Sequence, residues 1–177
     1  MESRRKRKRS QITKWVCYAL LMLLCTVLQT LPGLFRLGEA KPLWLLPLAL
    51  AVAVEEGEFA GGIFGAVCGL MWDYTAGRTA GLLAFELLLL CFLLSAVMQL
   101  YFKTSAANVV LLETAAVLLV LSLDWLFFYY MPGYSWALSR WLTFVLPSAM
   151  MTLVPSLMLF SLVRHIYSAF KIDNGVV

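Results

Sequence analysis

The sequence predicts an all-α fold: a polytopic membrane helix bundle with six transmembrane helices. Of the 177 residues, 62% are hydrophobic and only 14% are charged, whereas about a quarter of the residues in a soluble domain are charged. The mean hydropathy is +0.85, and the apolar residues are gathered in long runs, as lipid requires. These observations exclude most soluble folds.

Six apolar runs are the candidate spans. They are Trp15–Leu34, Leu43–Val54, Phe59–Trp72, Leu82–Leu100, Val109–Tyr130 and Leu142–Val163. The first extends over about 30 Å as a helix, which matches the hydrocarbon thickness of a bilayer. The second and third are shorter and form a predicted helical hairpin, in which the second reaches only about 18 Å.

The second run has two possible courses. With Pro42 at its start and Pro47 inside it, the run is either a bent span or one limb of a re-entrant hairpin. The carboxylates of Glu55, Glu56 and Glu58 favour a full crossing, because each is costly at mid-membrane unless protein or water satisfies it. A hairpin contributes two crossings or none, so both termini lie on one side in either case.

The basic residues predict the orientation. Six consecutive basic residues lie near the N-terminus, namely Arg4, Arg5, Lys6, Arg7, Lys8 and Arg9. Cytoplasmic segments of membrane proteins are enriched in Lys and Arg, so we expect both termini in the cytoplasm. The predicted organisation is a basic cytoplasmic tail at 1–14, a single transmembrane domain at 15–170 and a cytoplasmic tail at 171–177. The first tail should also attract anionic lipid, by about 1 kcal/mol per basic residue.

Small residues recur at every fourth position through the third span. The row consists of Gly57, Gly61, Gly65 and Gly69, and Asp73, Gly77 and Gly81 continue its register. In lipid, such a stripe lets another helix approach to backbone contact. Two interpretations are open: packing against neighbouring helices of this chain, or a docking face for a helix of another protein.

Asp73 ends the third span and is followed by a glycine-rich loop. Its carboxylate can accept hydrogen bonds from N–H groups of the following turn or pair with Arg78, while Gly77 and Gly81 permit a tight turn. A clamp on this turn is the simpler role, and ligand contact is the alternative.

Three further carboxylates lie within predicted spans. Asp124 is near the middle of the fifth span, where a charge costs roughly 2.5 to 3.5 kcal/mol, so it should face the bundle. A structural network, proton or ligand coupling, and a misplaced span boundary are all open. Candidate partners are Gln29, Gln99, Ser148, Thr152 and Ser156. Glu86 and Glu113 lie nearer the helix ends, where they could reach interfacial water.

The sequence predicts no catalytic site, metal site or cofactor. The four cysteines lie within apolar runs and lack CxxC spacing. The single histidine, His165, has no second histidine or cysteine nearby. Asp73 has no second carboxylate, metal-ligand set or nucleophile beside it.

The most specific pattern is a glycine-rich helix that ends in Gly69-Leu70-Met71-Trp72-Asp73, followed by Gly77 and by Gly81 at the start of the next span. This pattern resembles the MreD family of rod shape-determining membrane proteins, in which such a helix ends in Gly-Leu-x-x-Asp. The residues that carry the resemblance lie between Pro47 and Phe85. It is strong over about 50 residues, and elsewhere it rests on size and six spans.

The resemblance implies a non-enzymatic scaffold of the cell-elongation machinery in the bacterial cytoplasmic membrane. It implies a single-pass MreC-type partner, a wider complex with MreB, RodA and a penicillin-binding transpeptidase, and no nucleic acid. The partner would dock on Gly57, Gly61, Gly65, Gly69 and Asp73.

MreD proteins are also similar in fold to the S components of energy-coupling-factor transporters. The alternative function is therefore binding of a small molecule such as a vitamin. Its pocket would open outward and could include Trp44, Tyr74 and Glu86.

Overall fold

The computed structural model of the chain consists of long helices. It describes residues 2–31, 38, 40–77, 81–101 and 106–170, with side chains described from residue 9 onward except at 101 and 106. The helices are α1 (Glu2–Thr30), α2 (Leu45–Glu56), α3 (Glu58–Ala76), α4 (Leu82–Tyr101), α5 (Ala106–Trp125), α6 (Ala137–Arg140) and α7 (Leu146–Phe170). A π-helical segment, Leu126–Tyr130, extends α5, and a second one, Trp141–Val145, joins α6 to α7.

Five helices form a ring around α2. Helices α1, α3, α4, α5 and α7 all contact α2, and each also contacts its two neighbours in the ring. Within the described residues, four segments are long and apolar enough to cross a membrane: Arg9–Thr30, Leu82–Leu100, Ala107–Tyr130 and Ala137–Phe170. The predicted all-α membrane bundle is confirmed. Helix α2 is short, with 12 residues, whereas α3 has 19 residues and is longer than the predicted third span.

The outer side of the ring is apolar. On α1, Leu20, Leu24 and Val27 are each more than half exposed, and exposed apolar residues recur on α4, α5 and α7. Large apolar surfaces of this kind are unfavourable in water. They suit contact with lipid tails.

The central helix α2 is short because it need not face lipid. Every side chain from Leu45 to Val54 is buried, as expected of a helix that is apolar on all sides. Its 12 residues extend over about 18 Å. Because the surrounding helices separate α2 from lipid, its length does not have to match the thickness of the bilayer.

The start of α2 is held by side chains of α1 and α7. The Oε1 atom of Gln29 accepts hydrogen bonds from the N–H groups of Trp44 and Leu45, each at 3.1 Å. The hydroxyl of Thr152 accepts one from the N–H of Leu43, also at 3.1 Å. The first N–H groups of a helix have no partner within it. Gln29 and Thr152 provide the hydrogen-bond acceptors that are missing at the start of α2.

The end of α2 is held by a buried ion pair. The Lys14 ammonium lies 2.7 Å from Glu56 Oε2, and both side chains are less than a tenth exposed. The hydroxyl of Tyr18 donates to Glu56 Oε1 at 2.9 Å. A cation at this position also suits the negative end of the helix dipole.

These contacts show the course of α2. Its start binds Gln29 and its end binds Lys14, and about 22 Å of α1 separates those two residues. Helix α2 therefore runs antiparallel to α1 through the bundle.

Side-chain contacts distinguish two ends of the bundle, the tail end and the far end. At the tail end, the Ser10 hydroxyl donates to the carbonyl of Phe170 at 3.4 Å, and Lys14 lies over the ring of Tyr167. Gln29 and the start of α2 mark the far end. The described starts of α1 and ends of α7 thus lie together.

We expect Glu56→Leu to destabilise the protein by about 3 to 5 kcal/mol, because it removes the carboxylate that pairs with the buried Lys14. Combining it with Lys14→Met should recover most of that loss, since an apolar pair of similar volume replaces the ions. Thermal unfolding in one detergent measures both. Glu58→Gln, at the same turn, is the control, and a double variant no more stable than Glu56→Leu would contradict the assignment.

Candidate functional site

The glycine row of α3 packs against other helices of the same chain. A Cβ atom at Gly61 would overlap the backbone of Ala53 in α2. At Gly65 it would lie 2.6 Å from the Sγ atom of Cys91, in α4. At Gly69 it would lie 2.5 Å from the Cα atom of α4's Ala84. No side chain fits at these three positions without moving a neighbouring helix.

This geometry corresponds to the internal-packing interpretation of the row. Gly61, Gly65 and Gly69 are buried, so a partner helix could reach this face only if α3 separated from α2 or α4. Gly57 has a different role: its φ of 94° allows the abrupt turn from α2 into α3.

Asp73 ties the end of α3 to the start of α4. Its Oδ2 atom accepts a hydrogen bond from the N–H of Gly81 at 2.8 Å, and the side chain is only 2% exposed. Gly77 ends α3 with a φ of 63°, and its N–H donates to the Asp73 carbonyl. This is the contact expected of a turn clamp. Arg78, the other suggested partner, lies outside the described residues.

The carboxylates within the spans have different surroundings. Asp124 is 6% exposed on α5. Glu113, also on α5, is fully buried and faces Ser156 of α7, so the expectation that it reaches interfacial water is wrong. Gln29, Ser148 and Thr152, suggested from the sequence as partners of Asp124, accept hydrogen bonds from the segment that leads into α2.

An apolar groove runs along the α4–α5 seam. It has a volume of about 430 Å³, and its lining includes Phe85, Leu89 and Leu93 on one side and Leu112, Ala115 and Leu119 on the other. The residues on α4 recur every four positions and form one ridge of that helix. No sequence pattern predicts this groove, because it depends on how α4 and α5 are spaced.

The residues proposed for a small-molecule pocket have different surroundings. Glu86 lines the α4–α5 groove, Trp44 belongs to the hydrophobic core, and Tyr74 is 80% exposed. Of the basic residues proposed to contact the membrane surface, Arg9 is exposed on α1, and the side chains of the others lie outside the described part.

We expect Gly69→Ala to destabilise the protein by about 1 to 3 kcal/mol, because its Cβ would push α4 away from α3. Gly62→Ala is the matched control on the same helix. Its Cβ would lie 3.5 Å from the Leu88 carbonyl oxygen, an ordinary contact, and alanine favours helix by up to about 1 kcal/mol. Equal thermal unfolding midpoints for the two variants would contradict the close packing.

We expect Asp73→Ala to lower stability by about 1 to 2 kcal/mol, because the N–H of Gly81 loses its acceptor at the start of α4. Asp73→Asn should lose less, since its amide oxygen can still accept that hydrogen bond. Thermal unfolding compares the two. An alanine variant as stable as the parent would show that the clamp contributes nothing.

Comparison with known proteins identifies the family. The model of the family described as rod shape-determining protein MreD matches residues 9–170. No match was found among curated proteins or solved structures. The matched range extends from the first apolar turns of α1 to the end of α7, and so includes the core, the glycine row and the Asp73 turn. The chain therefore belongs to the MreD family of rod shape-determining proteins.

Proposed function

We propose that this protein is a non-enzymatic scaffold of the bacterial cell-elongation machinery, held in the cytoplasmic membrane with both termini in the cytoplasm. Its direct partner is a single-pass protein of the MreC type, within a wider complex of MreB, RodA and a penicillin-binding transpeptidase. Family membership over residues 9–170 carries this proposal. The mechanism is positional: binding favours one arrangement of the complex, and no bond is made or broken.

The α4–α5 groove is a surface that suits the partner's transmembrane helix. Its α4 wall, from Phe85 to Val97, is about 18 Å long, or a little over three helical turns. Leu89, Leu93 and Leu119 stand on its walls with 43 to 59% of their surface exposed. The small residues Ala115 and Ala116 in its lining let a helix approach closely, as is common where helices meet in membranes.

The glycine row has an indirect role in this proposal. By joining α3 closely to α4, Gly65 and Gly69 hold the helix that forms one wall of the groove. A bulky substitution such as Gly65→Leu should therefore reduce partner binding through the position of α4, rather than by blocking a contact with the partner.

Two cavities in the described part of the chain suit the scaffold better than the vitamin-binding alternative. The cavity lined by Gln29 and Trp72 at the far end has a volume of about 150 Å³, whereas small-molecule sites usually have volumes of about 300 to 1,000 Å³. The α4–α5 groove is larger but open along its side and apolar. It suits a helix better than a polar vitamin.

We expect Leu93→Trp to reduce recovery of the MreC-type partner at least fivefold, because the indole would occupy the groove. The tagged protein is purified from its native membranes in mild detergent, and partners are quantified by mass spectrometry. Leu20→Trp, on the exposed side of α1, is the matched control and should leave recovery unchanged. Both variants should unfold at the temperature of the parent.

Two outcomes would count against the proposal in different ways. Undiminished partner recovery with Leu93→Trp would remove the groove as the docking surface. Failure of the parent to bring down any MreC-type protein, RodA or penicillin-binding protein would contradict the scaffold function itself. Recovery of an energising transmembrane subunit with two ATPases would establish the transporter alternative.

A further inference from the structure

The carboxyl group of Glu113 is buried where α4, α5 and α7 meet. Its side chain is fully buried on α5, and it faces the Ser156 hydroxyl of α7 and the Cys91 thiol of α4. Helix α2, which also contacts α5, consists of apolar residues from Leu45 to Val54. Among the described residues, neither oxygen of Glu113 has a hydrogen-bond partner and no cation pairs with it.

Burial without a countercharge favours the neutral form of this carboxyl. An ionised carboxylate is far more costly to bury than the neutral acid, because apolar surroundings cannot replace its hydration. The buried carboxylate of Glu56 differs, since Lys14 supplies a countercharge there. A neutral carboxyl has an O–H donor in addition to its acceptor oxygens. The hydroxyl of Ser156, which faces Glu113, can accept a hydrogen bond from that donor.

Helix α5 has open space on both of its sides. The α4–α5 groove lies along one side. A second apolar groove, of about 500 Å³, lies along the α5–α7 seam, and its lining includes Thr114 of α5 and Leu153 of α7. Pro155, inside α7 and next to Ser156, removes a backbone hydrogen bond, which makes a helix easier to bend. The packing around Glu113 therefore leaves room for α5 and α7 to move apart.

Glu113 also lies behind the α4–α5 groove. Leu112 and Ala116, one and three positions away on α5, line this groove, whereas Glu113 is not part of the lining. Cys91 has the corresponding place on α4: it is fully buried, and Leu90 beside it lines the groove. A displacement of α5 at Glu113 would therefore change the width of the groove.

We propose that Glu113 is a proton-binding site that controls the spacing of α4, α5 and α7. With the proton bound, the neutral carboxyl donates a hydrogen bond to Ser156, and the junction of the three helices stays closed. Release of the proton to water leaves a carboxylate that must be hydrated, so the junction opens and α5 moves. The consequence for binding rests on the proposed function: the groove fits the partner's helix only while Glu113 is neutral.

Infrared difference spectroscopy of the full-length protein in bilayers measures the protonation state. At neutral pH, we expect the difference between the parent and Glu113→Gln to contain the carbonyl band of one protonated carboxyl and no carboxylate band. Ser156→Ala should keep this band but shift it, because the hydrogen-bond acceptor is lost. Glu58→Gln removes a partly exposed carboxyl at the start of α3 and is the matched control. Its difference spectrum should contain carboxylate bands instead.

The effect on the groove is measured at the pH at which the Glu113 band disappears. The tagged protein is purified from its native membranes at that pH and at neutral pH, and the MreC-type partner is quantified by mass spectrometry. We expect recovery to fall at least threefold in the parent as the pH is raised. Recovery with Glu113→Gln should not change, because its amide cannot ionise.

The two steps of the proposal fail in different ways. Carboxylate bands in the Glu113→Gln difference spectrum would overturn the proton site, and a Ser156→Ala spectrum identical to that of the parent would overturn the contact with α7. A Glu113 band that persists until the protein unfolds would overturn control of the groove, as would an equal loss of recovery in the parent and Glu113→Gln. Failure of the parent to recover any partner at neutral pH would contradict the proposed function, while the infrared result would still decide the proton site.

Discussion

The fold depends on one constraint: α2 has no side that faces lipid, so the surrounding helices must satisfy both of its polar ends. Gln29 and Thr152 accept hydrogen bonds from the N–H groups at its start. Lys14 and Tyr18 bind Glu56 at its end. An unsatisfied polar group in hydrocarbon costs several kcal/mol, so these contacts fix the depth and direction of α2. The ring of five helices is then positioned around it.

The sequence predicted the features that depend on local pattern. The length of the apolar runs predicted the helical membrane bundle. The spacing of the glycines predicted a stripe at which helices could pack closely. The central place of α2 was missed, although its uninterrupted apolar run from Leu45 to Val54 was a usable signal. The contacts of Gln29 and Lys14 with α2 could not be predicted, because they join residues 15 to 42 positions apart through helix packing.

The candidate surfaces illustrate the same limit. A stripe of small residues predicts close approach by a helix but does not say which helix, and here α2 and α4 of the same chain occupy it. The α4–α5 groove arises because those two ring neighbours are spaced widely enough to leave 430 Å³ between them. The closely packed helices α2, α3 and α4 support one wall of the groove.

Helix α2 is enclosed by protein along its whole apolar run, from Leu45 to Val54. Photolabelling with a diazirine-bearing lipid probe in bilayers, mapped by mass spectrometry, tests this enclosure directly. We predict labels on the exposed residues of α1, α4, α5 and α7, including Leu20 and Leu93, and none between Leu45 and Val54. Labelling of α2 at a level comparable with that of Leu20 would contradict the enclosed position of this helix and the arrangement of the ring around it.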